Sequence, residues 1–169
     1  MKKPNERGVS AVEFALVLPV LVLILFGIVE FGLILYNQQV ITNASREGAR
    51  WAIGQPSPTK VPPEPTRDTV SINLVVQDYW TKNRLISFKS GTPTLPITAI
   101  IDIASGITLV AAGQNVCAIA TSDKDIQVQV TYQYEFLVFD SIVQLVGGSQ
   151  NHTIPISGST IMRCEAVQP

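Results

Sequence analysis

The chain has 169 residues, a formal net charge of −1 and an apolar content of 46%. This length suffices for one long helix and one small domain, and the nearly balanced charge provides no overall basic field of the kind that nucleic-acid binding requires. The apolar residues are concentrated near the N-terminus, whereas the remainder has the composition of an ordinary soluble domain.

Residues 1–8 form a short basic leader. Lys2, Lys3 and Arg7 outweigh Glu6, which gives the leader a net charge of +2. Positive charge beside the first apolar segment stays on the cytoplasmic side of a membrane. We therefore expect the leader inside and the chain beyond about residue 36 outside.

An apolar segment of membrane-spanning length follows. The sixteen residues from Phe14 to Val29 carry no charge, and after Glu30 the apolar run continues to Tyr36. About 20 apolar residues, each rising about 1.5 Å in a helix, cross a bilayer's hydrocarbon core. The run exceeds the 7–15 residues of a signal-peptide core and shows no clear end, so we expect a retained transmembrane helix.

Beyond Tyr36 the helical pattern becomes amphipathic. One face carries apolar or small residues at helical spacing: Val40, Ile41, Ala44, Gly48 and Trp51 or Ala52. The charged residues Arg46, Glu47 and Arg50 lie on or near another face, either solvated or docked against the domain or a neighbouring subunit. A helix over residues 9–53 would be roughly 68 Å long, so its outer part is expected to project as a stalk.

Residues 54–65 interrupt the helix. Gly54 and five prolines in this span predict an extended linker, and residues 66–169 are then an extracytoplasmic domain. Residues 66–86 fit both helical and strand templates, and their length and charged ends favour a helix that packs on a sheet.

The rest of the domain is predicted to consist mainly of strands. Residues 97–103 and 107–110 flank a turn at Ala104–Gly106, which indicates a hairpin. Residues 126–138 alternate with period two, so one face should cover a core. A short helix or apolar turn is expected at 137–146. The last strand runs over 154–164, and Pro155 places it at a sheet edge. The predicted fold is α+β: a long N-terminal transmembrane and stalk helix, then a small domain with an antiparallel sheet and one or two short helices.

The two cysteines, Cys117 and Cys164, are predicted to form a disulfide. Paired cysteines are usual outside the cytoplasm, and Cys164 lies on the apolar phase of its strand. Two cysteines without a histidine cluster make a poor metal site. The single histidine, His152, and the absence of a glycine-rich phosphate loop favour a protein that is not an enzyme and that needs no cofactor.

Three motifs of the N-terminal segment resemble a known family. The basic leader ends in Gly8, and Glu13 is the fifth residue after it, as in type IV pilin-like precursors. The strings Arg7–Pro19, Gly27–Gly32 and Ala44–Arg50 resemble the TadE-like minor pseudopilins of tight-adherence (Tad/Flp) pilus systems. The resemblance is dense over residues 7–54, looser over 125–166 and absent over 55–124. Phe14 stands where the main pilin usually has Tyr, which favours a minor subunit.

The resemblance implies a function and a set of partners. A prepilin peptidase would cut between Gly8 and Val9, and the chain would help to assemble a pilus for surface adherence or a related secretion filament. Its partners would be the membrane, other pilin or pseudopilin subunits, the peptidase and the pilus assembly platform. It would cross the cytoplasmic membrane once, or form part of an extracellular filament. The alternative is an uncleaved membrane-anchored binding or scaffold protein.

Five helix residues are candidates for assembly contacts. Glu13 either pairs with the Val9 amine of a neighbouring subunit or extends its side chain to the inner headgroups. Pro19 is a flexible point or an ordinary membrane proline. Glu30 lies near the outer interface, at headgroup level or against a partner helix. Gly27 and Gly32 permit close helix packing.

Overall fold

The computed structural model describes residues 6–54, 66–83, 85–86, 96–109, 113–119, 125–136, 139, 147 and 153–164. The predictions for residues 1–5, for linker residues 55–65, for the turn at 137–146 apart from Phe139, and for His152 lie outside the described residues.

One helix of 48 residues, α1 (Glu6–Ile53), forms the N-terminal part of the molecule. It begins three residues before the predicted start at Val9, and it continues through Pro19. Within it, Gly8–Ile53 is long and apolar enough to cross a membrane, judged by length and composition.

The ambiguous segment after the linker is a helix, α2 (Thr69–Lys82). Asp68 caps its N-terminus by accepting a hydrogen bond from the Ser71 amide at 2.9 Å. The buried side chains are Ile72 and Val76, as helical spacing predicted. The expectation that this helix packs on the sheet is corrected, because α2 lies mainly against α1 and only sparsely against the sheet. The apolar spacing identified the buried face and carried no information on what covers it.

Four strands of the described residues form one antiparallel sheet. They are β1 (Ile97–Asp102), β2 (Ile107–Thr108), β3 (Asp125–Glu135) and β4 (Thr153–Arg163), and a short helix, α3 (Val116–Ile119), precedes β3. The spatial order is β2-β1-β3-β4. The predicted hairpin is therefore confirmed as β1 and β2, and β4, which contains Pro155, is an edge strand. The α+β prediction is confirmed.

The core lies between the sheet and the second half of α1. Residues of β3 alternate between buried and half-buried, and the buried set is Ile126, Val128, Val130, Tyr132 and Tyr134. The facing residues of α1 include those of its amphipathic stripe, buried at Val40, Ile41, Ala44, Gly48 and Ala52, together with Ala49, which the predicted stripe did not contain. The helix part that was expected to project as a stalk is thus covered by the domain along this face.

Helix α1 lies very close to β4 at one glycine and to α2 at another. A Cβ on Gly158 of β4 would lie 2.7 Å from the Cα of Thr42, and one on Gly48 of α1 would lie 2.6 Å from Cγ2 of Val76. Both positions therefore require the absence of a side chain.

The predicted disulfide between Cys117 and Cys164 is confirmed, with a Cα–Cα distance of 5.6 Å. It joins α3 to the residue that follows β4 and closes a loop with a sequence separation of 47. Both cysteines are buried.

Candidate assembly site on the N-terminal helix

Helix α1 divides into two parts at Glu30. Residues 8–29, which we call the free half, are exposed except for the half-buried Val22, whereas residues 30–53, the docked half, contribute their apolar stripe to the core. In the free half, Phe14 is 65% exposed and Leu16 is 73% exposed. An uncovered apolar surface of this extent is unfavourable in water and marks a membrane or protein contact.

The predicted cleavage and pairing residues all lie in the free half. Gly8, Val9 and Glu13 are exposed and, with Val12 and Leu16, line one shallow surface depression. Four-residue spacing places Val9 and Glu13 one turn apart on the same helix face. The side chain of Glu13 makes no hydrogen bond or ion pair with the described residues of this chain. The arrangement presents a carboxylate at the surface of an apolar helix.

The candidate packing residues differ in their surroundings. Pro19 is exposed inside a continuous helix. A Cβ added to Gly27 or Gly32 would meet nothing within 4 Å, so both glycines leave the helix backbone open on its outer side. None of these three residues contributes to the core of the domain.

Glu30 is held by its own domain. The residue is only 7% exposed, and the hydroxyl of Tyr134 on β3 donates a hydrogen bond to its Oε1 at 2.6 Å. Burial and the adjacent carboxylate together raise the pKa of Tyr134 above its ordinary value. The pair fixes the point at which the helix leaves the domain.

Sequence reasoning did not identify Tyr134 as the partner of Glu30. The two residues are 104 positions apart. The available signal was weak: Tyr134 lies on the apolar phase of a strand, and a buried tyrosine hydroxyl usually finds a partner.

Further polar contacts position the docked half. Asn37 is fully buried, and its side chain donates to the Ile86 carbonyl at 2.9 Å and accepts from the Ile86 amide at 3.0 Å. On the sheet side, Gln38 donates to the Ser157 carbonyl at 3.0 Å, and the hydroxyls of Ser45 and Thr160 lie 2.9 Å apart. These bonds restrict sliding of the helix over the sheet.

The charged residues of the docked half lie on its outer face. Arg46, Glu47 and Arg50 are exposed, and Arg50 lies 3.8 Å from Glu47. An exposed pair of this kind adds little stability. Among the described residues, no group of three or more His, Cys, Asp or Glu side chains could hold a metal ion.

Residues 8–50 match the family described as TadE-like protein. This stretch of the chain is therefore similar to a TadE-like domain. The match covers the free half and nearly all of the docked half of α1. No curated protein and no solved structure matches the chain. A TadE-like domain supports a minor pilin-like role associated with Tad pili, and it implies association with a membrane and with pilus components in general. Together with one long apolar helix, it is consistent with a single-pass membrane protein.

Proposed function

We propose that the TadE-like chain is a minor pilin or pseudopilin that takes part in assembling a Tad/Flp-type pilus for surface adherence or a related secretion filament. The observation that carries this proposal is the division of α1. One half is built into the domain core, and the other half presents an apolar surface to its surroundings. A subunit that passes from a membrane into a bundle of helices needs an apolar helix of this kind, since both environments can cover it.

The proposed processing step is hydrolysis of the peptide bond between Gly8 and Val9 by a prepilin peptidase. It would remove the basic leader and create an amine on Val9. Glu13 would then lie one turn from the new N-terminus. A carboxylate in an apolar setting is costly unless an opposite charge pairs with it. We assign that charge to the Val9 amine of a neighbouring subunit, so that the pair sets the axial register between helices.

The proposed location is the cytoplasmic membrane, crossed once, with the leader inside and the domain outside. From Val9 to Val29 the helix rises about 30 Å, which matches the hydrocarbon thickness of a bilayer. The division of the chain would be a leader at 1–8, the helix at 9–53, the linker at 54–65 and the outer domain at 66–169, onto which the docked half packs. A buried disulfide fits an oxidising compartment. The role proposed for this domain is structural rather than catalytic.

Substitution of Glu13 tests the proposal. Glu13→Gln and Glu13→Ala are introduced into the chain in its host, and the amount recovered with sheared filaments is compared with the amount left in the membrane. We expect both variants to remain in the membrane at normal levels and to be lost from the assembled fraction, because the neighbouring amine has no charged partner.

The matched control is Glu47→Gln, an exposed glutamate on the docked half of the same helix. It should assemble as the natural chain does. If Glu13→Ala also assembles normally, the pairing mechanism is wrong, and the helix acts only as the tether of an outer binding or scaffold domain.

A further inference from the structure

An apolar groove lies where the free half of α1 meets the domain. Its volume is about 370 Å³. One wall is the helix from Leu23 to Ile34, and the other wall is formed by Phe136 and Phe139, which follow β3. The groove therefore lies between the helix surface and the part of the domain that carries Phe136 and Phe139.

The position of the groove along the helix matches the outer boundary of a membrane. From Leu23 to Ile34 the helix rises about 16 Å. If Val9 lies near the inner boundary, Val29 lies near the outer one, about 30 Å away. The lower part of the groove would then lie within the hydrocarbon layer, and its upper part would lie at the headgroups.

Among the described residues, the lining of the groove is apolar apart from one carboxylate. Glu30 lines the groove, and its Oε1 already accepts the hydrogen bond from Tyr134. The other helix residues on this wall include Phe26, which is 41% exposed, and Phe31, which is 62% exposed. An apolar lining of this kind is suited to binding a hydrocarbon chain.

The opposite wall is a packed row of aromatic rings. The rings of Tyr134 and Phe136 are nearly perpendicular, with centroids 5.8 Å apart, and the ring centroids of Phe136 and Phe139 are 5.5 Å apart. This row leads from the buried Glu30 pair to the surface, where Phe139 is 51% exposed. An exposed phenylalanine side chain is unfavourable in water and becomes favourable when lipid surrounds it.

We propose that phospholipid acyl chains of the outer leaflet occupy this groove, so that the domain rests on the bilayer through Phe136 and Phe139. The continuity of the groove with the exposed apolar surface of the free half selects this occupant. The inference rests on the membrane insertion of α1 proposed above. Two contacts, the helix and the aromatic wall, then fix the tilt of the domain relative to the membrane.

The test is a measurement of lipid exposure at Phe139 in the full chain. Since both native cysteines are joined in the disulfide, one introduced cysteine can be labelled with a nitroxide without reduction. The variants are Phe139→Cys, Leu21→Cys in the free half as the inserted reference, and Ser159→Cys on the outer sheet face as the water-exposed reference. Each is reconstituted into vesicles of phosphatidylethanolamine and phosphatidylglycerol, and its accessibility to oxygen and to a polar nickel complex is measured.

We expect the oxygen-to-nickel accessibility ratio at 139 to resemble that at 21 and to exceed that at 159 by about tenfold, because polar solutes are excluded from hydrocarbon. A ratio at 139 equal to that at 159, with position 21 inserted, would overturn the inference and leave the proposed function intact. A label at position 21 that the nickel complex reaches would show that the helix is not inserted, and it would contradict both the inference and the proposed function. If neither oxygen nor the nickel complex reaches position 139 and the spectrum shows spin–spin broadening, a second copy of the chain occupies the groove. That result would also overturn the lipid inference.

A second variant keeps an aromatic side chain at this position. With Phe139→Trp, phospholipids brominated near the headgroup end of their acyl chains should quench fluorescence more strongly than with Ser159→Trp. The contributions of Trp51 and Trp80 are common to both variants. Equal quenching in the two proteins would contradict lipid contact at Phe139.

Discussion

Replacement of Gly158 by alanine tests the docking of α1 on the sheet. The new Cβ would lie 2.7 Å from Cα and 2.9 Å from N of Thr42, and 3.0 Å from the carbonyl carbon of Ile41. All three atoms belong to the helix backbone, which cannot rotate away as a side chain can. The helix is also held on both sides of this point, by the Gln38 bond to Ser157 and by the Ser45 contact with Thr160.

The expected cost can be worked from two opposing effects. Overpacking of a close contact costs about 1–3 kcal/mol, and alanine recovers about 0.5–1 kcal/mol of the entropy that glycine loses in a strand. Because the backbone cannot yield, we expect a net loss of about 2 kcal/mol in the free energy of unfolding. For a domain of this size, that loss lowers the midpoint of thermal unfolding by roughly 6–10 °C.

The assay is thermal unfolding of the full-length oxidised chain in detergent, followed by tryptophan fluorescence and circular dichroism. The matched control is Ser159→Ala, the next residue of β4, which is exposed on the opposite face and should change the stability by less than about 0.5 kcal/mol. An unchanged or higher midpoint for Gly158→Ala would show that the helix does not approach β4 as described.

Three further predictions concern the bonds that hold the domain together. Tyr134→Phe removes the hydrogen bond to Glu30 and should lower the free energy of unfolding by about 1.5–3 kcal/mol, measured by the same thermal assay; no change would refute a structural role for the pair. Since the pKa of Tyr134 is raised above 10.0 in the folded state, the folded chain keeps a proton that the unfolded chain releases. Stability that is fully present below pH 10 should therefore be lost as the pH rises above it, and Tyr134 should be absent from the ultraviolet titration of the folded protein until it unfolds. The Cys117–Cys164 disulfide closes a loop with a sequence separation of 47 residues, so its reduction should lower the free energy of unfolding by about 4 kcal/mol in the chain-entropy model. An unchanged denaturation midpoint in reductant would contradict this prediction.

Local periodicity predicted most of the fold. The alternation along β3, the apolar run of α1 and the proline at the edge strand each leave a mark within a few residues of sequence, because the buried face of an element repeats with its geometry. The disulfide was predictable for a simpler reason, since only two cysteines are present and one lies on a buried strand phase.

The packing partners of these elements were harder to predict from the sequence. The spacing of Ile72 and Val76 gave the buried face of α2, but the sequence does not state that this face meets Gly48 of α1. A glycine inside a strand can mark a close approach of another backbone, and Gly158 is such a case. The helix that approaches it lies more than a hundred residues earlier, and only the assembled fold brings the two together.

The candidate site was predicted unevenly for the same reason. Gly8, Val9 and Glu13 form a contiguous motif, and the structure places them on one exposed stretch of helix. Glu30 could be recognised as unusual, because a carboxylate in an apolar run is costly. Its partner, Tyr134, could not be assigned, because that pairing depends on the register of β3 against α1.

The most direct test of the proposed role is the intact mass of the chain expressed with and without the prepilin peptidase of its host. Processing predicts that the peptidase removes residues 1–8 and leaves Val9 as the first residue of a shortened chain. A full-length mass in the presence of a peptidase that is shown to cut a known substrate would contradict the account. The pairing of Glu13 with a Val9 amine would then be impossible, and the function would have to be sought in the outer domain.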